Sequence, residues 1–149
     1  MRKNFLVLML MVLGIGSVYA DKVETLASPS GNIKLEGTIG DRLTYSVFYG
    51  EEQILKDCPI SLQVGAETFG TKPRLSSAKR SKVDEVIRPV VPLKYAEVPN
   101  HANQLTLAFK GGISVDMRAY DNGVAYRFAI NKGKGQTDIV NEGVELNLP

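Results

Sequence analysis

Residues 113–130 read ISVDMRAYDNGVAYRFAI, and this stretch decides the fold. Two runs of alternating apolar and polar residues flank Asn122-Gly123. That dipeptide suits a two-residue type I′ hairpin turn, which needs positive φ at both central positions. With Asn122 and Gly123 as the loop residues, Asp121 pairs with Val124, Ala119 faces Tyr126, Met117 faces Phe128 and Val115 faces Ile130. Successive strand side chains point to opposite faces, so Ile113, Val115, Met117, Ala119, Tyr126, Phe128 and Ile130 share one apolar face. The same register sets Arg118 opposite Arg127, an unfavourable like-charge pair. Asp116 and the Tyr120 hydroxyl lie on that face and can compensate. The two arginines either are neutralised by carboxylates of neighbouring strands and hold a sheet together, or they face another domain or an anionic ligand.

Working outward, the rest of the chain has the same strand-and-turn grammar. Residues 23–27 form a short strand, and Pro29-Ser30-Gly31-Asn32 a turn. Ile33, Leu35, Gly37 and Ile39 alternate with polar residues, as do Leu43, Tyr45, Val47 and Tyr49. Residues 53–55 and 60–64 read as two short strands split by Asp57-Cys58-Pro59. Residues 65–88 have sparse, unperiodic apolar positions and many charges, the pattern of a solvated loop and edge hairpin, with room for a helical turn or two at 79–87. Three prolines, Pro89, Pro92 and Pro99, mark an extended connector. Residues 100–103 read as a loop, 104–109 as a strand, Lys110-Gly111-Gly112 and 132–135 as turns, and 144–148 as a last strand. Short strands at this spacing with Gly and Pro turns predict an all-β, antiparallel β-sandwich.

Residues 1–20 carry Arg2 and Lys3, an apolar core over 5–15, and small residues before a cleavage point at Ala20, which together read as a helical signal peptide. The apolar run is shorter than the ~20 residues of a resident span. The reading therefore divides the chain into a leader, 1–20, and one domain, 21–149, periplasmic or secreted and without a membrane anchor after cleavage. The whole chain has 18 basic and 16 acidic residues. Losing Arg2 and Lys3 leaves the mature part balanced, so the basic sequence pI of about 8.6 belongs to the leader and argues against a nucleic-acid partner. The lone Cys58 reads as a buried free thiol. His101 stands alone in a polar stretch, without a Cys or carboxylate cluster to make a metal site.

Residues 116–128, DMRAYDNGVAYRF, resemble the signature "fRaYdDGvAFRy" of the N-terminal domain of glycoside hydrolase family 97, a family of calcium-dependent α-glucosidases and α-galactosidases. The positions that carry it are Arg118, Tyr120, Asp121, Asn122, Gly123 and Arg127. Residues 26–33 resemble the family's opening "SPdGkl", residues 43–50 its "lTYsV.ydG", and residues 139–146 its "i..E.t.f", all in the same order. The chain departs from the family at Ala102-Asn103, where an aromatic-Asn pair is usual, and near Val86-Ile87, where a Trp is usual; it has no Trp.

The resemblance implies part of a galactose-mutarotase-like supersandwich that packs against a catalytic (β/α)8 barrel. It also implies that the catalytic carboxylates belong to that barrel and that the calcium ligands lie beyond Pro149. No catalytic or metal residue carries over to this chain, and none of its cofactors is expected here. Glycoside hydrolysis needs two carboxylates ~5 to 9.5 Å apart across a sugar. Here Glu51-Glu52 and Asp84-Glu85 are adjacent pairs, whose strand side chains diverge. Three roles follow: the sandwich portion of an α-glycosidase, silent alone; a stand-alone module binding an α-linked oligosaccharide; or a structural module using an open sheet edge. Interior positions for Tyr45, Tyr49, Tyr95 and Tyr120 would deprive a sugar module of its platform.

Overall fold

A computed structural model describes residues 20–91, 94–131, 133 and 135–149. The signal-peptide reading falls outside the described residues apart from Ala20, as do Lys132 and Lys134 of the 132–135 turn. Among the described residues ten strands follow in chain order: β1 (Lys22–Ala27), β2 (Ile33–Ile39), β3 (Leu43–Tyr49), β4 (Glu52–Val64), β5 (Glu67–Phe69), β6 (Leu75–Ile87), β7 (Val98–Phe109), β8 (Ile113–Tyr120), β9 (Gly123–Ile130) and β10 (Ile139–Val144). One sheet is ordered β1-β2-β3-β4-β10, with β5 also on β4; the other is β6-β7-β8-β9. Every pairing is antiparallel.

The alternation read from the sequence explains how the sheets meet. On β2 the residues alternate buried and half-buried without a break. Leu35 of β2, Leu43, Tyr45 and Val47 of β3, Leu105, Leu107 and Phe109 of β7, and Val115, Met117 and Ala119 of β8 belong to one buried cluster. Aromatic contacts bridge the layers: Tyr45 to Tyr126, and Phe69 to both Phe109 and Phe128. Gly37 faces this seam, where an added Cβ would sit 3.3 Å from Met117 Sδ. The sheets therefore approach closely at β2 because position 37 has no side chain. The expected β-sandwich architecture is present.

Four expectations are corrected. The split at Asp57-Cys58-Pro59 is a bulge inside one continuous β4, not a break. Asp57 takes φ 47°, and its N–H donates to Ser46 Oγ at 3.0 Å, so a β3 hydroxyl pins the extra residue. Residues 75–87 form a full strand rather than a loop or helical turn, and residues 100–103 belong to β7. The polar β6 sequence has no periodicity of its own; β7 supplies its hydrogen-bond ladder along nearly the whole length. Its charges, Lys79 and Lys82 included, suit a solvent-facing edge. The last strand is β10 at Ile139–Val144, not 144–148. The segment after it stays against β4 as far as Asn147, through Glu145 N–H to Pro59 O, Lys56 N–H to Asn147 O, Asn147 N–H to Cys58 Sγ and Asn147 Nδ2 to Asp57 O. Cys58 is free and buried, as read from the sequence.

Polar clasps close the sides of the sandwich. Arg80 of β6 points inward and reaches β1 of the opposite sheet, with Nη2 2.8 Å from Glu24 Oε2 and 3.0 Å from the Thr25 carbonyl. Asn103 donates to the Ala27 carbonyl at 2.9 Å. The hydrogen bond from Arg80, then that from Lys22, holds the Glu24 carboxyl below its ordinary range. On the other side Tyr126 of β9 meets Glu142 of β10. Burial first, and the neighbouring Glu142 carboxylate second, push the Tyr126 phenol up to about 12.

The pH dependence follows in sign. The Glu24 contribution is complete above the ordinary glutamate range and is lost as pH falls through the lowered value. The Tyr126 contribution is complete below the ordinary tyrosine range and is lost as pH rises toward about 12. Urea unfolding across pH should show both limbs, with Glu24→Gln flattening the acid limb and Tyr126→Phe the alkaline one. Glycine substitutions give a second test. Gly70 has φ 115°, and a Cβ there would lie 2.6 Å from the Ile60 carbonyl oxygen. Gly70→Ala should therefore cost about 2 kcal/mol or more. Gly123 lies outside the positive-φ region with open space around it, so Gly123→Val should change stability by less than about 0.5 kcal/mol. Equal losses at both positions in a denaturant titration would contradict this backbone.

Candidate functional site

The candidate site is the outward face of β7, β8 and β9. Leu105 and Leu107 of β7 point into the core, so Gln104 and Thr106 point out. The β8 row Ile113, Val115, Met117 and Ala119 points in, which turns Ser114, Asp116, Arg118 and Tyr120 outward. On β9, Ala125 and Arg127 share that outer face.

The hairpin register differs from the expected one. Tyr120 pairs with Gly123, Arg118 with Ala125 and Asp116 with Arg127. The loop residues are Asp121 and Asn122, and neither Asn122 nor Gly123 has positive φ. The expected type I′ turn at Asn122-Gly123 is therefore not formed. Moving the turn by one residue shifts the pairing by two positions and keeps every side chain on its face, so the apolar set survives. The shift also removes the Arg118–Arg127 opposition and replaces it with an Asp116–Arg127 pair, the preferred cross-strand arrangement. A tertiary contact holds the turn: the Ser30 N–H donates to Asp121 Oδ1 at 2.8 Å. That backbone hydrogen bond, followed by the Ser30 hydroxyl, lowers the Asp121 carboxyl.

Two cross-strand ladders follow. In the first, Thr106, Asp116 and Arg127 stand side by side. Thr106 Oγ1 donates to Asp116 Oδ1 at 2.6 Å, and Arg127 Nε and Nη2 both reach Asp116 Oδ2 at 2.9 Å. Asp116 is the buried member, with 10% side-chain exposure against 67% for Arg127. In the second ladder Gln104, Arg118 and Ala125 align. Arg118 Nε donates to Gln104 Oε1 at 2.7 Å, and Nη1 lies 3.4 Å from the Tyr120 hydroxyl. Gln104 Nε2 to Thr106 Oγ1, 3.2 Å, joins the ladders into one network.

Of the six signature positions, Arg118, Tyr120 and Arg127 meet on this face, Asp121 fastens the turn to the β1–β2 loop, and Asn122 and Gly123 complete the connection. Gln104 and Thr106 escaped the sequence reading, although their alternation with Leu105 and Leu107 was a signal for them. Arg80 and Glu24 escaped it for a different reason: 56 positions separate them, and nothing local couples them. His101 pairs with Asp84, Nδ1 to Oδ1 2.7 Å, across β6 and β7. Among the described residues no group of three or more His, Cys, Asp or Glu side chains could hold a metal ion, so the calcium implied by the family resemblance has no fitting donor set here. The network is rich in donors and has the chemistry of recognition and support.

Comparisons with known proteins agree with this architecture. The family model described as Glycosyl-hydrolase 97 N-terminal matches residues 26–149. A retaining alpha-galactosidase of Bacteroides thetaiotaomicron is 45% identical over 148 residues, which is 99% of this chain and 22% of that protein. A probable retaining alpha-galactosidase of Streptomyces bingchenggensis is 29% identical over 126 residues, 83% of this chain and 19% of its own length. Among solved structures, a beta-arabinopyranosidase superposes with TM-score 0.74 at 22% identity, covering 85% of this chain and 21% of its own. A family 97 enzyme from Pseudoalteromonas sp. strain K8 in complex with acarbose superposes with TM-score 0.70 at 20% identity, covering 84% of this chain and 20% of its own. The chain thus spans about a fifth of the length of these relatives. It belongs to the glycosyl hydrolase 97 N-terminal family.

Proposed function

We propose that the chain acts as the N-terminal β-sandwich portion of an α-glycosidase, packing against a catalytic (β/α)8 barrel and shaping the rim of its active site without catalysing hydrolysis by itself. The observation that carries this reading is the asymmetry of coverage: 99% of this chain aligns with 22% of a retaining alpha-galactosidase. The calcium of such an enzyme would be held by carboxylates outside the stretch that this chain matches. The leader directs the product to the periplasm or outside the cell.

The surface supports a packing role. The paired strands β6 and β7 run on past β8: β7 meets β8 only from Asn103 to Ala108, while its pairing with β6 continues to Ile87–Val98. The projecting ribbon and the connector beyond it expose Val86, Ile87, Val90, Val91 and Tyr95, with Val90 fully exposed. Clustered exposed apolar side chains mark interaction surfaces. A second reading, a module that binds an α-linked oligosaccharide, draws on Tyr49 and Tyr95, which are 58% and 60% exposed. Tyr45 is in the core and Tyr120 is half-buried, so only two of the four tyrosines are available as stacking surfaces.

A reconstitution experiment separates these readings. The Bacteroides thetaiotaomicron relative, shortened by the part that matches this chain, is mixed with the purified chain and assayed on an aryl α-galactoside. The packing role predicts no turnover by the chain alone, self-association in sedimentation, and recovered activity in the mixture. No association and no recovery, with the chain a clean monomer that melts cooperatively, would reject it. Saturable binding on a glycan array under those conditions would select the sugar module.

A further inference from the structure

The signature arginines of β8 and β9 are not equivalent in their surroundings. Arg127 is matched by Asp116. Arg118 is half-buried and forms no ion pair among the described residues; its acceptors are the neutral Gln104 Oε1 and Tyr120 hydroxyl. A half-sequestered guanidinium with only neutral acceptors retains unsatisfied charge and free N–H groups. Arg118, Tyr120, Ala125, Arg127 and Asp116 line one small depression on the outer face. The partner of Arg118 on β9 is Ala125, whose methyl leaves space where a longer side chain would cover the guanidinium.

We infer that this depression is an anion site that takes a single carboxylate group, seated above Ala125 with Arg118 as its principal donor and the Tyr120 hydroxyl and an outer N–H of Arg127 beside it. The charge selects the ligand class. The cluster holds two guanidiniums and one carboxylate, so one negative charge brings it to neutrality. A phosphate dianion would overshoot and sit close to Asp116, where like charges repel. The planar fork of a guanidinium also matches a carboxylate through two parallel N–H···O bonds. This site stands independently of the packing role proposed above. The carboxylate can belong to an acidic side chain of a partner or to a sugar acid, and the two sources separate by experiment.

The test is an NMR titration of the full chain, labelled with 15N and observed at the arginine Nε–H resonances, at constant ionic strength. Acetate, glucuronate and chloride are the probes. The inference predicts saturable shifts at Arg118 and Arg127 with both carboxylates and none beyond the salt baseline with chloride. Arg118→Gln should weaken acetate binding at least about tenfold, the loss expected for one bidentate charge-assisted contact. Tyr120→Phe is a milder variant that keeps the ring and should weaken binding by a smaller factor. Glucuronate binding well above acetate assigns the site to a sugar acid; equal affinities assign it to a carboxylate presented by a partner chain. Non-saturating shifts, identical responses to chloride, or unchanged binding in a folded Arg118→Gln protein would overturn the inference.

Discussion

The inward row Ile113, Val115, Met117 and Ala119 on β8 is the constraint on which the rest of the structure depends. These residues are almost fully enclosed between β7, β9 and the opposing sheet. Ile113, Val115 and Met117 each contribute on the order of 1.5–3 kcal/mol when removed from water, and Ala119 less. A one-residue slip on either flank would turn the row outward and forfeit the whole set together. Slips by two are not penalised in this way, and the hairpin uses that freedom. It places Asp116 beside Arg127 and keeps the apolar row where it is.

From that row follow the two faces of the four-stranded sheet. The inner face receives Gly37, whose missing side chain lets β2 lie against Met117 and Leu107. The outer face is polar because the alternation leaves it so, and its members satisfy one another through the Thr106–Asp116–Arg127 and Gln104–Arg118 ladders. Most of this network supports the sheet. Asp116, nearly buried, needs its three donors, since a carboxylate without partners at that depth would be costly. Arg118 is the member whose charge the sheet itself does not balance. That difference separates a structural arginine from a receptive one within the same motif.

The edges of the sandwich are treated differently. On the β1 side, Arg80, Asn103 and Asp121 cross between the layers and fasten β1 and its turn. On the β9 side, Tyr126 and Glu142 make the link. The β6–β7 ribbon is left projecting with an apolar surface at its end. In the role proposed above, that surface packs against the remainder of an enzyme about five times longer, the length of the relatives.

The sequence by itself determined which side chains face inward, because alternation on β2, β3, the later half of β7, β8 and β9 is a local property of the chain. It also carried the family signature and the free, buried state of Cys58. Tertiary structure decided the rest. β6 is a strand because β7 offers it a ladder; its own sequence of serines, lysines and acids has no period to reveal it. The same ladder draws residues 100–103 into β7. The hairpin turn sits at Asp121-Asn122 because Ser30, 91 positions away, binds the Asp121 carboxylate and because charges pair better in that register. Asn-Gly favours a turn by backbone freedom, but that local preference is worth no more than a cross-strand charge pair and a hydrogen bond to a distant loop. The charge pair forms within the hairpin, whereas the bond to Ser30 exists only once the two sheets have come together.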